Sequence, residues 1–241
     1  AFPRFYWEDN DLCLRASALG IGLVQTGWHI HHKGGRTAGA LATHGDTFEQ
    51  SRATFTERVY PHWSIQQHSS AGLSAVARRY LAECATVSDI QHHLSTLYAY
   101  AQGVVVELGT RTGVSTSALL AGVERWGGSV LSVDVDAQCA ALYTEHPQWR
   151  FVCGDSRDPA IAAQVAAPID LLLIDTIHTY DQCAEELALW GARMAPGGII
   201  AAHDTETFPG VRAAIAEYAD AHGYKVTWVL PCNGMAFVEV R

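Results

Sequence analysis

Four side chains in the C-terminal half carry the clearest chemistry: Asp175, His178, His203 and Asp204. Asp175 closes the apolar run Ile169-Asp-Leu-Leu-Leu-Ile, and His178 follows three residues later. His203 and Asp204 close a second run, Ile199-Ile-Ala-Ala. If the two runs are neighbouring parallel strands, all four residues meet in one crevice at the carboxyl edge of a sheet, where open α/β folds bind ligands. The carboxylates of Asp175 and Asp204 are hard oxygen ligands suited to Mg²⁺, or to Mn²⁺ with help from imidazole. Such an ion lowers the pKa of a hydroxyl beside it, and a nearby histidine can take the proton. The competing reading is structural: Asp175 caps the following turn and His203 packs under a hairpin.

The elements that must position these residues begin with Val104-Val-Val, a β-branched run that reads as a buried parallel strand. It ends on Glu107 and passes through Gly109 and Gly113 into a helix-like stretch, Ser115 to Leu120. The pattern Glu-x-Gly-x-x-x-Gly is not the G-x-G-x-x-G of dinucleotide folds. It resembles the first motif of class I S-adenosylmethionine (SAM)-dependent methyltransferases. The resemblance implies SAM as cofactor, with Glu107, Gly109 and Gly113 lining its methionine end and Thr110 and Ser115 in the same turn. Gly109 is expected to let the backbone approach the ligand.

Ser129 to Asp134 is a second apolar strand ending in an acid about twenty residues past the glycine turn. Asp134, or Asp136 as the alternate, is placed to accept hydrogen bonds from ribose hydroxyls. A third strand, Trp149 to Cys153, leads into Gly154-Asp155-Ser156. In the resembled family the acid here approaches the adenine amino group, which assigns Asp155 and Ser156 to the cofactor; a capped turn is the plainer reading of Asp155. Asp175 borders cofactor and cation alike. Helices are expected over 69–84, 87–101, 181–194 (closed by Pro196-Gly-Gly198) and 210–222. Two alternating runs, 225–230 and 235–240, flank Pro231-Cys-Asn-Gly234 and read as an antiparallel edge hairpin. The resemblance covers about residues 70 to 241. It implies an α/β fold: a Rossmann-like, seven-stranded, mostly parallel sheet with a C-terminal antiparallel hairpin.

Asp-x-x-His followed by an acid pair after the next strand resembles metal-dependent O-methyltransferases that act on sugars in antibiotic and polysaccharide pathways. Carried over, that resemblance makes Asp175 and Asp204 metal ligands and His178 the base. The chain departs at His203, where those enzymes usually have Glu; histidine is still able to bind Mn²⁺ or a similar ion.

Residues 1–60 read differently. Glu8-Asp9-Asn-Asp11-Leu12, Arg15, Gly20 and the pair His31-His32 resemble the C-terminal part of the catalytic domain of inverting family 2 glycosyltransferases. That family's Asp-x-Asp nucleotide-binding half does not precede the segment. The expectation is therefore a glycosyltransferase-like remnant and connector over 1–60, at the end of a longer two-domain polypeptide, with the methyltransferase domain over 61–241. An N-terminal lid of the methyltransferase is the alternative. His29, His31, His32, His44, His62 and His68 match no standard zinc spacing.

A net charge of −9 over 241 residues argues against a nucleic-acid-coating surface. No apolar run approaches the roughly 20 residues of a membrane span, and the N-terminus lacks signal-peptide regions. The 6 cysteines are scattered without a C-x-x-C pair, as expected of reduced thiols in a cytoplasmic protein. The expected partner is a small-molecule or glycan acceptor, with no nucleic acid and no membrane; a homo-oligomer is left open. The function read from the sequence is O-methylation of a carbohydrate or glycosylated hydroxyl. A catechol-like or other small hydroxylated acceptor, and a non-catalytic SAM-fold module, are the rivals.

Overall fold

The computed structural model describes residues 73–165, 168–230 and 232–241. The glycosyltransferase-like reading of residues 1–60, and the histidines from His29 to His68, lie outside the described residues. Among the described residues, seven strands form one sheet: β1 Gly103–Leu108, β2 Gly128–Asp134, β3 Trp149–Cys153, β4 Ile169–Ile174, β5 Met194–His203, β6 Lys225–Val229 and β7 Met235–Glu239. Their order is β3-β2-β1-β4-β5-β7-β6. The first five strands run parallel, and β7 pairs antiparallel with both β5 and β6. This is the Rossmann-like α/β sheet with its C-terminal hairpin.

Helices α1 Ala75–Ala85, α2 Leu94–Tyr100, α3 Val114–Trp126, the short α4 Pro159–Ala162, α5 Tyr180–Gly191 and α6 Pro209–His222 cover the sheet. Successive strand residues face opposite sides, and both sides here are apolar. Val106, Leu108, Leu172, Ile174 and Ile200 pack with Leu187 and Trp190 of α5 and Ile215 of α6. Val105, Leu171, Leu173 and Ala201 pack with Leu94 and Leu97 of α2 and Leu119 and Leu120 of α3. Burial on both faces is why the centres of β1 and β4, Val104–Val106 and Leu171–Ile174, are apolar at every position rather than at alternate ones.

Two boundaries differ from the sequence reading. The helix expected to reach residue 194 stops at Gly191, and β5 begins at Met194 and takes in Pro196-Gly197-Gly198 as a bulge, where the register with β4 shifts between Ile169 and Leu171. The reason is pairing with the C-terminal end of the chain: Gly197 N donates to Val240 O, and Val240 N donates to Gly198 O. The second expected helix, 87–101, is split into a 3₁₀ turn, Gln91–His93, and α2. Among the described residues no helix is long and apolar enough to cross a membrane. Cys84, Cys139, Cys153, Cys183 and Cys232 are free thiols.

Candidate active site

Strands β4 and β5 pair in register, with Ile174 opposite Ala202. Asp175 therefore emerges beside His203 and Asp204. A carboxylate oxygen of Asp175, a ring nitrogen of His178 and a carboxylate oxygen of Asp204 all lie within 4.8 Å of one another. His203 Nδ1 sits 3.3 Å from Asp175 Oδ1 and 3.2 Å from Asp204 Oδ2. Its other nitrogen, Nε2, is 3.0 Å from the carbonyl oxygens of both Asp89 and Cys232. Carbonyls only accept, so Nε2 carries a hydrogen and Nδ1 is the atom that faces the carboxylates. A ring nitrogen aimed inward, with its opposite N–H anchored on a backbone carbonyl, is the arrangement of a metal-ligating histidine. Asp204 Oδ1 is buried without a hydrogen-bond partner among the described residues. Two carboxylates, an oriented imidazole and an orphaned buried oxygen fit a divalent cation.

His178 is the accessible ring. Its side chain is 34% exposed, against 1% for His203 and 6% for Asp204. His178 Nε2 lies 2.6 Å from Asp204 Oδ2 and 3.6 Å from Asp175 Oδ1. The first is a close ion-pair contact rather than an aligned hydrogen bond. Phe208, just before α6, stacks on the ring with centroids 4.5 Å apart. Asp204 itself holds a left-handed backbone (φ 64°), a conformation aspartate tolerates better than most residues. Phe208 N donates to Asp204 O at 2.9 Å and fixes that turn.

In the cation-free chain the acids hold protons on both rings. Asp175 and then Asp204 push the pKa of His178 up to about 9. Burial works to lower that of His203, but the same two carboxylates override it and hold the ring at about 10. Burial likewise opposes ionisation of Asp175 and Asp204, yet His178 and His203 keep both below the usual carboxylate range.

Two adjoining clefts share Gly109, Arg111, Asp175 and Thr176. One, of about 660 Å³, contains Thr110, Ser115, Asp175, His178 and Asp204. The other, of about 250 Å³, contains Asp134, Gly154, Asp155 and Ser156. Val135 and Ile177, both exposed, add apolar surface to the second. Together they hold Gly109, Thr110, Ser115, Asp134, Asp155, Ser156 and Asp175 at the carboxyl edge of β1, β2, β3 and β4. Asp134 Oδ2 accepts from the backbone N–H groups of Thr110 (2.7 Å) and Arg111 (2.9 Å), so it also ties the glycine turn to β2. Asp136 borders neither cleft and caps its own turn through Gln138 N.

Glu107 is placed away from both clefts. Its carboxylate is fully buried. Three hydroxyls donate to it: Ser115 at 2.7 Å, Thr116 at 2.8 Å and Ser132 at 2.5 Å. It clamps the start of α3 and the middle of β2 to β1, and burial pushes its carboxyl up to about 7 against the pull of those hydroxyls. Gly113 also lies off both clefts. Its left-handed φ of 76° starts α3, and its carbonyl accepts from Tyr143 Oη at 3.0 Å. Gly109 lines both clefts, and at φ 90° a Cβ there would collide with the carbonyl oxygen of Asp175, so glycine also lets β1 and β4 end side by side.

Sequence reasoning missed Val135, Ile177, Gln182 and Phe208. Val135 and Ile177 left a weak signal as apolar residues beside strand-end acids. Gln182 and Phe208 left none, since their roles depend on partners brought together by the fold.

Residues 106–205 match a family model described as a methyltransferase domain. Among curated proteins none matches this sequence. Solved structures share the fold. A Corynebacterium glutamicum protein is 15% identical, with a TM-score of 0.53, covering 76% of this chain and 97% of its own. The SAH-bound methyltransferase of Podospora anserina is 10% identical, TM-score 0.52, with 76% and 97% covered. A candidate caffeoyl-CoA O-methyltransferase from Staphylococcus aureus is 14% identical, TM-score 0.52, with 76% and 100% covered. Over residues 106–205 the chain is similar to methyltransferase domains, and its fold is the one these solved structures share.

Proposed function

We propose that this enzyme moves the methyl group of SAM to a hydroxyl of a carbohydrate or glycosylated acceptor, with Mg²⁺ or Mn²⁺ beside the reacting oxygen. The observation that carries the reading is His178, half-buried at a cleft shared with Thr110 and Ser115, with Nε2 2.6 Å from Asp204 Oδ2. SAM supplies a methyl group already activated on a sulfonium, whereas an alcohol is a poor nucleophile until its proton is drawn off. A cation held by Asp175, His203 and Asp204 would supply the positive charge that lowers the hydroxyl pKa.

His178 receives the hydroxyl proton at Nδ1, because its Nε2 is buried against the carboxylate of Asp204. The ring must first be neutral. The carboxylates that raise its pKa to about 9 would also be the donors to a cation, whose charge would offset their pull and bring the ring back toward the ordinary histidine value of about 6.5. Phe208 holds the ring plane while the proton moves.

The carbohydrate assignment draws on the glycosyltransferase-like Glu8, Asp9, Asp11 and His31-His32, because fused enzymes often act on one glycan. A small hydroxylated aromatic acceptor is the second reading, favoured by the fold shared with the candidate caffeoyl-CoA enzyme and by the flat face of Phe208. Transfer of labelled methyl from SAM to panels of glycans and catechols separates them. Label on glycans is the expected result, and label on catechols alone would overturn the carbohydrate assignment.

A further inference from the structure

We infer that Gln182 reads the 6-amino group of the cofactor's purine, with Glu186 as the positioning residue that fixes its amide; this rests on the SAM reading above. Glu186, on α5, is fully buried. Its Oε1 accepts from Ser156 Oγ (2.5 Å) and Gln182 Nε2 (2.7 Å), and its Oε2 from Thr176 Oγ1 (2.9 Å). Ser156 gives its only hydroxyl hydrogen to Glu186, so toward Gln182 it can only accept, and Gln182 Nε2 donates to it at 3.1 Å. Both Nε2 hydrogens are thereby used. A turned-over amide would set its oxygen against a carboxylate and a hydroxyl with no hydrogen left to give, so the orientation is settled by the network.

Gln182 Oε1 is left without a hydrogen bond among the described residues, on a side chain only 6% exposed that lines the cleft with Gly154, Ser156 and Thr176. The rival acceptor, Asp155, is already engaged by its neighbour, with one acceptor site left on Oδ2: Arg157 donates to it from the backbone N, Nε and Nη2 at 2.9, 3.0 and 2.8 Å. The Ser156 carbonyl is occupied by Trp190 Nε1 at 2.7 Å. Val135 and Ile177 give the same cleft apolar surface suited to the faces of a planar ring. A fixed acceptor at its polar end suits an amino group, which donates, and rejects a keto oxygen in that position.

The test is calorimetric binding of S-adenosylhomocysteine and its 6-keto, inosine counterpart. The parent protein is expected to prefer the adenosine ligand by at least ~10-fold, since a buried acceptor left facing a keto group is costly. Gln182→Met should bring the ratio close to one by weakening the adenosine ligand alone. Glu186→Gln, nearly isosteric, should narrow the ratio as well because the Gln182 amide is no longer held, and it keeps the test available if Gln182→Met does not fold. Purely structural damage would weaken both ligands together. A preference that persists undiminished in both variants overturns the role of Gln182. A parent protein that binds neither ligand overturns the SAM reading itself.

Discussion

Nε2 of His178 lies 2.6 Å from Oδ2 of Asp204, an ion pair between an accessible ring and a buried carboxylate. The same carboxylate meets His203 Nδ1 at 3.2 Å from the other side. Asp204 is thus shared by two rings, the one proposed to take a proton and the one proposed to hold a cation.

Protons and cations therefore compete. The ring pKa values, raised to about 9 and about 10, mean that at neutral pH a divalent ion must displace at least one proton. Affinity for Mn²⁺ should climb as pH rises from about 6 toward 9, the range bounded by the ordinary and the raised histidine values. Calorimetric titration in buffers of different ionisation enthalpy should register proton release. For the cation-free fold, the raised histidines give stability that is full below about 6.5 and lost as pH rises through their folded values. The depressed Asp175 and Asp204 give stability present above about 3.8 and lost as pH falls through theirs. Asp204→Asn should flatten both limbs of the melting-temperature profile; profiles that superimpose with the parent's would remove this cluster as their source.

Glu107 gives a prediction of opposite sign. Burial raises its carboxyl to about 7, so the fold favours the neutral form and loses stability as pH climbs from about 4.5 through 7. Glu107→Gln should flatten that decline while leaving cofactor affinity little changed, because the carboxylate lines neither cleft. Glu107→Ala should cost at least about 3 kcal/mol in urea unfolding, since three hydroxyls lose their acceptor. A large loss of SAM affinity in the folded Gln variant would return Glu107 to the binding site.

Much of this fold could be read in the chain, and the reason is physical. Val104–Val106 and Leu171–Ile174 are apolar at consecutive positions because helices cover both faces of the sheet, and such runs ending in acids mark strand ends without knowledge of neighbours. Asp175, His178, His203 and Asp204 were readable for the same reason. Glu107 was not. A strand-end acid can point along the edge or into a helix packing layer, and only the pairing of Ser115, Thr116 and Ser132 around it decides. The linkage of Ser156, Thr176, Gln182 and Glu186 is equally silent, since it joins the ends of two strands to a helix through side chains with no common spacing. Pro196-Gly-Gly198 was misleading outright: a helix stop by composition, it is drawn into β5 by Val240.

His178→Ala separates base from ligand. Turnover should fall by roughly the 10²–10⁴-fold typical of a lost general base, while SAM and cation affinities stay near the parent's. The deficit should shrink at high pH, where solvent takes the proton. Loss of cation affinity on a matching scale would instead make His178 a ligand, as its place among the donors within 4.8 Å permits.

Methyl transfer measured with and without chelator is the most direct test of a cation-assisted reaction. Labelled SAM and a hydroxylated acceptor are incubated with the parent protein and with Asp204→Asn. The account predicts that chelator abolishes transfer by the parent, that Mg²⁺ or Mn²⁺ restores it, and that Asp204→Asn requires more cation for the same rate. Full turnover in chelator would contradict it.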